Sequence, residues 1–165
     1  MAGHLFRSAL LALTLPVAVS TAATAQRAGV SAEVLTNQDV MSMVAGKINR
    51  DLLVAKINAT RNSFDVTVNG VISLHMAKVH ADVIRTMILV AADPKLGAAA
   101  RKVPDVLDNQ AVIAMVSSKV PRPVILAKIQ HTKAVFDVSA AGLVALTQAK
   151  VPADVIKSMV AKTGL

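Results

Sequence analysis

The sequence predicts an all-α protein: two tandem copies of a four-helix unit, each made of two helix-turn-helix hairpins, behind an N-terminal signal peptide. Three observations predict it. The chain matches itself at an offset of 72 residues, its apolar residues recur at helical spacing, and its first 25 residues have the makings of an export leader.

The repeat comes first because a fixed period constrains the whole architecture. Residues 35–88 fall on 107–160 without a gap, and 25 of the 54 positions are identical. The shared positions include Asn37/Asn109, Val40/Val112, Lys47/Lys119, Phe64/Phe136, Asp65/Asp137 and Gly70/Gly142. A weaker echo at an offset of 31 divides each copy into half-units. In each, a capping-type residue (Thr36, Thr67, Asp108, Ser139) precedes an apolar stretch, then a lysine, then Ile or Val, then an aliphatic pair. That is the order of a helix, a tight turn and a second helix.

Spacing makes the elements helices. Val40, Met43 and Val44 stand at i, i+3 and i+4, as do Val112, Met115 and Val116; Val83, Ile84, Met87 and Ile88 form a like stripe, matched by Val155, Ile156, Met159 and Val160. Thr36, Asp108 and Ser139 occupy N-cap positions, and Thr36 with Asp39 forms a capping-box-like pair. Pro121, Pro123 and Pro152 fall at or near helix starts, where a missing N–H costs little. No polar–apolar alternation is long enough for a strand. Met41, Met43, Met76, Met87, Met115 and Met159 lie on the apolar stripes and are expected in the core.

The leader, residues 1–25, carries His4 and Arg7, an apolar run too short to span a bilayer, and Ala23-Thr24-Ala25 before Gln26. Cleavage after Ala25 is expected, with a secreted or periplasmic destination. Losing the leader lowers the formal charge from +8 to +7, since Arg7 is its only Lys or Arg and it holds no Asp or Glu. The chain has no cysteine, so an exported fold here gains no disulfides. The expected organisation is a signal peptide (1–25), an N-terminal segment (26–34), unit 1 (35–89), a linker (90–106) with a short helix in KLGAAARK, and unit 2 (107–165). Units of about 55 residues are near the lower size limit for folding alone.

Lys47, Lys78, Lys119 and Lys150 hold one equivalent place, the end of the first helix of every half-unit. A cation there complements the helix dipole, worth roughly 0.3–1 kcal/mol, which explains the position without any ligand. The other explanation is a repeated basic point for an anionic partner. Arg50/Arg122 and Lys56/Lys128 recur once per unit and extend such a face, so these eight residues are the candidate contacts.

Other chemistries find little support in the residues. Asp82/Asp154 suit the first turn of a helix, and Asp65/Asp137 suit a loop that Phe64/Phe136 anchor. His75, His80 and His131 face Thr147, Pro152 and Ala59 in the other unit, so they form no repeated set, and no metal site, cofactor site or catalytic residue is expected. Nucleophile-elbow, phosphate-loop and dinucleotide motifs are absent. Nucleic acid is disfavoured by the leader, the near-absence of aromatics and the scattering of Lys and Arg.

The stretch LTNQDVMSMV, with LLVAKI, FDV, GVISL and AKVHADVI after it, resembles a helical-hairpin module of uncharacterised exported bacterial proteins. The resemblance covers residues 35–88 and 107–160 and implies an all-helical, exported fold with no known activity. That module usually has Gly where this chain has the four lysines, as suits a left-handed residue after a helix. The functional expectation is a non-enzymatic helical-repeat protein of the bacterial envelope, acting in protein interaction or scaffolding. Its alternative is electrostatic binding to anionic envelope polymer or lipid headgroups through the repeated Lys and Arg.

Overall fold

Side-chain caps fix where the helices begin. In the computed structural model, which describes residues 33–93, 95 and 105–164, Thr36, Thr67, Asp108 and Ser139 cap α1 (Asn37–Ala45), α3 (Val68–Met76), α5 (Asn109–Ser117) and α7 (Ala140–Gln148). Each cap's side-chain oxygen accepts from a backbone N–H three residues on, satisfying a donor that the first helical turn leaves open. Thr36 and Asp39 complete a capping box. The partner helices are α2 (Arg50–Ala59), α4 (Ala81–Ala92), α6 (Arg122–His131) and α8 (Ala153–Thr163). They start after Asn49, His80, Pro121 and Pro152, the two prolines giving no side-chain cap.

The eight helices among the described residues make two layers. One stacks α1, α3, α5 and α7, and the other stacks α2, α4, α6 and α8, each helix on the next. The most extensive helix–helix contact is α4 on α6, and α3 meets α5 as well, so residues 35–89 and 107–164 pack together in one compact unit. The core between the layers is aliphatic, with Val40, Leu53, Ile57, Leu74, Ile84, Met87, Val112, Met115, Ile129, Leu146 and Met159 fully buried. Phe64 and Phe136 are buried too and tie the loops before α3 and α7 to it.

Two small extended pieces correct the expectation that no strand forms. β1 (Val34–Leu35) pairs in parallel with β2 (Arg61–Asn62), and Leu107 forms a bridge to Ala134. They are too short to show any alternation, and their pairing is long-range: Leu35 O accepts from Ser63 N at 2.8 Å, and Leu107 O from Val135 N at 2.8 Å. The linker also starts later than residue 90, because α4 runs to Ala92 with Asp93 as its C-cap. Met76 is 71% exposed, not core: it ends α3 on the side away from the stripe. The leader at 1–25 and all but Lys95 of the short helix expected in KLGAAARK lie outside the described residues.

The loop before α3 is shaped by a polar clasp. Asn37 Nδ2 donates to Asp65 O at 2.7 Å, and Asn37 Oδ1 accepts from Asp65 N at 2.9 Å. Asn109 treats Asp137 the same way, at 2.8 and 3.0 Å. The carboxamide thus stands in for a strand neighbour. Glycine closes the fit from the other side, since a Cβ on Gly70 or Gly142 would lie 2.3 Å from the Asp65 or Asp137 carbonyl oxygen.

Candidate functional site

The turn from the first to the second helix of each hairpin is where the lysines sit, and its hydrogen bonds are the same in every hairpin. After α1, Lys47 N donates to Val44 O at 2.9 Å and Ile48 N to Met43 O at 3.0 Å. The pairs Lys78/Val79, Lys119/Val120 and Lys150/Val151 repeat both bonds at 2.9–3.1 Å. These are the two bonds that close a helix with a left-handed residue, a place usually taken by glycine. The φ angles of Lys47, Lys78, Lys119 and Lys150 are 58°, 63°, 58° and 58°, and no other non-glycine among the described residues has a positive φ. For a side chain with a Cβ that conformation costs about 1 kcal/mol.

The lysine side chains receive little in return from the fold. All four are exposed, and among the described residues none of their ammonium groups is in an ion pair. The other four candidate cations behave differently. Arg50 and Arg122 lie 3.5 Å from Asp82 and Asp154 respectively, joining the starts of α2 to α4 and α6 to α8. Lys56 lies 2.7 Å from Glu33. Lys128 is 1% exposed and 2.6 Å from Asp105, so burial removes it from any face offered to a partner. Among the described residues the structure therefore separates the candidates into four lysines without carboxylate partners and four cations with them.

The turns that carry the four lysines also carry Arg50 and Arg122 against three carboxylates, Asp51, Asp82 and Asp154. At the other ends of the helices lie Glu33, Asp39, Asp65, Asp93, Asp105, Asp108 and Asp137, the acids of caps and loops, together with Lys56, Arg61, Lys128, Lys133 and Lys162. Dipole chemistry accounts for Asp39, in the first turn of α1, and for Asp108, the N-cap of α5. Thr36 donates its hydroxyl and backbone N–H to Asp39, holding that carboxyl below its ordinary range; the Ser139 hydroxyl and backbone N–H do the same for Asp137.

Little else among the described residues brings reactive groups together. His80 is the N-cap of α4, its Nδ1 accepting from Asp82 N at 3.3 Å. A shallow depression bounded by Thr132, Lys133, Val135 and Lys162 holds one imidazole, His131, and no carboxylate. No group of three His, Cys, Asp or Glu side chains is placed to hold a metal ion among the described residues, and no described helix is long and apolar enough to cross a membrane. No family model matches the chain, and no curated protein or solved structure matches it either.

Sequence reasoning missed two features of this arrangement. Asn37 and Asn109 stood out only as matched residues, with no signal in the local sequence that they clasp a loop 28 residues away. Glu33 and Asp105 are also 72 apart, a kept carboxylate facing a kept lysine, just outside the stretch over which identity is high.

Proposed function

We propose that this chain is an exported, non-enzymatic helical-repeat module of the bacterial envelope, whose lysine edge binds an anionic partner. The two units are read as a tandem duplication and residues 1–25 as the export leader. The observation that carries the proposal is the set of four lysines at left-handed φ, exposed and without a carboxylate partner among the described residues. A helix dipole is satisfied by a cation anywhere in the last turn, so dipole complementarity does not require lysine at the one position where glycine is easier. Its recurrence in every hairpin points to use of the side chain itself.

Layered hairpins with an interaxial distance of about 8–10 Å set the lysines a similar step apart. That step is close to the screening length of roughly 8 Å at physiological salt, so the four cations repel one another weakly. A polyanion or anionic lipid surface along the edge meets all of them. The second reading, a scaffold for a protein partner, is favoured by the exposed aliphatics Ile48, Leu52, Val144 and Val160.

Retention of the purified protein on phosphatidylglycerol vesicles and on anionic wall polymer, against neutral vesicles, tests the proposal. Binding is expected at low salt, with release at high salt and loss on changing Lys47, Lys78, Lys119 and Lys150 to Glu. Retention that ignores salt, or none at all, contradicts it. The leader is tested separately: protein recovered from the envelope should begin at Gln26.

A further inference from the structure

The two ends of the helix stack carry the same apolar surfaces that the middle of the stack buries. In the second layer α4 lies between α2 and α6, whereas among the described helices of that layer α8 has only α6 beside it; a residue buried in α4 but open in α8 therefore faces the next helix along. Ile88 is 2% exposed and Val160, 72 residues later, is 41% exposed. Ala81 and Ile84 are likewise less exposed than Ala153 and Ile156, and these positions form one stripe at i, i+3 and i+7. The converse holds at the other end, where α6 lies between α4 and α8 but, among the described helices of that layer, α2 has only α4. Val124 is fully buried and Leu52 is 61% exposed; Ala127 is buried and Ala55 exposed; Lys128 is 1% exposed and Lys56 38%.

Composition sharpens the point. Terminal repeats of stacked-helix proteins ordinarily turn a polar face outward, because nothing covers them. Here the outward stripe of α8 keeps Ala153 and Ile156 unchanged from α4 and changes Ile88 only to Val160. The outward stripe of α2 keeps Ala55 and Lys56 and has Leu52 for Val124. Even the ion pair is ready, for Glu33 and Lys56 already stand 2.7 Å apart, as the buried Lys128 and Asp105 stand 2.6 Å apart.

We propose that copies of this chain associate head to tail, α8 of one copy packing on α2 of the next as α4 packs on α6 within the chain. The contact is heterologous, since the two surfaces differ, so it leaves a free face at each end and grows into open oligomers. Each added copy also lengthens the row of lysines, although the association rests on apolar stripes and not on the lysines.

Light scattering across a concentration series tests this, with Leu52→Glu and Val160→Glu as the variants. Both positions are exposed, so each variant is expected to fold, with circular dichroism as the check. The unchanged protein should rise in mass beyond a dimer as concentration increases. Each variant alone should stay monomeric, because it has lost one of two unlike faces. An equal mixture should form dimers and go no further, the intact α8 of the Leu52→Glu chain meeting the intact α2 of the Val160→Glu chain. A monomer at every concentration, a single variant that still associates, or a mixture that stays monomeric overturns the proposal. None of these results bears on anion retention, so this inference and the lysine edge fail independently.

Discussion

The Lys128 ammonium is buried and lies 2.6 Å from the Asp105 carboxylate, while Lys56 faces Glu33 at 2.7 Å near the surface. Two pairs of the same chemistry thus differ in dielectric surroundings, and their worth differs with it. Removing Asp105 leaves a buried ammonium without its partner, a change that costs roughly 3–5 kcal/mol. Asp105→Ala should therefore be strongly destabilising in urea unfolding, and Glu33→Ala should cost no more than about 1 kcal/mol. Equal effects from the two would contradict the burial assigned to Lys128.

The asparagine clasp makes a matched prediction. Asn37→Ala removes two bonds to the Asp65 backbone, and Asn109→Ala removes their counterparts at Asp137. At a net value of about 0.5–1.5 kcal/mol per bond, each variant should lose roughly 1–3 kcal/mol in denaturant unfolding. No loss in either would mean that the loops are held by Phe64 and Phe136 alone.

Much of the fold is legible in the sequence, because helix caps and i, i+3, i+4 stripes are local signals. Thr36, Thr67, Asp108 and Ser139 cap the helices they precede, and Val40, Val83, Met87, Val112, Met115, Val155 and Met159 of the expected stripes are buried, whereas Met76 and Val160 are exposed. What is not legible depends on distant partners. Lys56 and Lys128 sit in nearly identical local sequence, and only the burial of Lys128 sets them apart. The parallel pairing of Leu35 and Leu107 arises in the same way, from loops that lie together once the layers form.

Glycine substitutions separate two kinds of turn. Gly70→Ala and Gly142→Ala would press a methyl group against a backbone carbonyl 2.3 Å away and should cost about 1–3 kcal/mol or more. Gly46→Ala should be neutral or stabilising, since Gly46 has a helical φ of −73° and Ser118 stands at the matching place. Thermal unfolding of the three variants checks the order; Gly46→Ala as the most damaging would reverse it.

Acid should weaken the fold through Asp39 and Asp137, whose folded-state pKa values are held below the ordinary 3.8 by hydrogen bonds from Thr36 and Ser139. A depressed carboxyl stabilises the fold fully above its unfolded value and loses that contribution as pH falls through the folded one. Stability measured downward from pH 6 should therefore be flat at first and fall below about pH 4. Asp39→Asn with Asp137→Asn should flatten that fall; an unchanged acid limb would assign it to other groups.

Replacing Lys47, Lys78, Lys119 and Lys150 together by glycine tests the central claim most directly, with unfolding and anion retention measured on the same protein. Glycine suits the left-handed turn, so each replacement should relieve roughly 1 kcal/mol and the melting temperature should rise. Retention on phosphatidylglycerol vesicles and anionic wall polymer should be lost. A protein that melts lower, or that binds as before, would contradict the claim that these lysines are kept for what they bind.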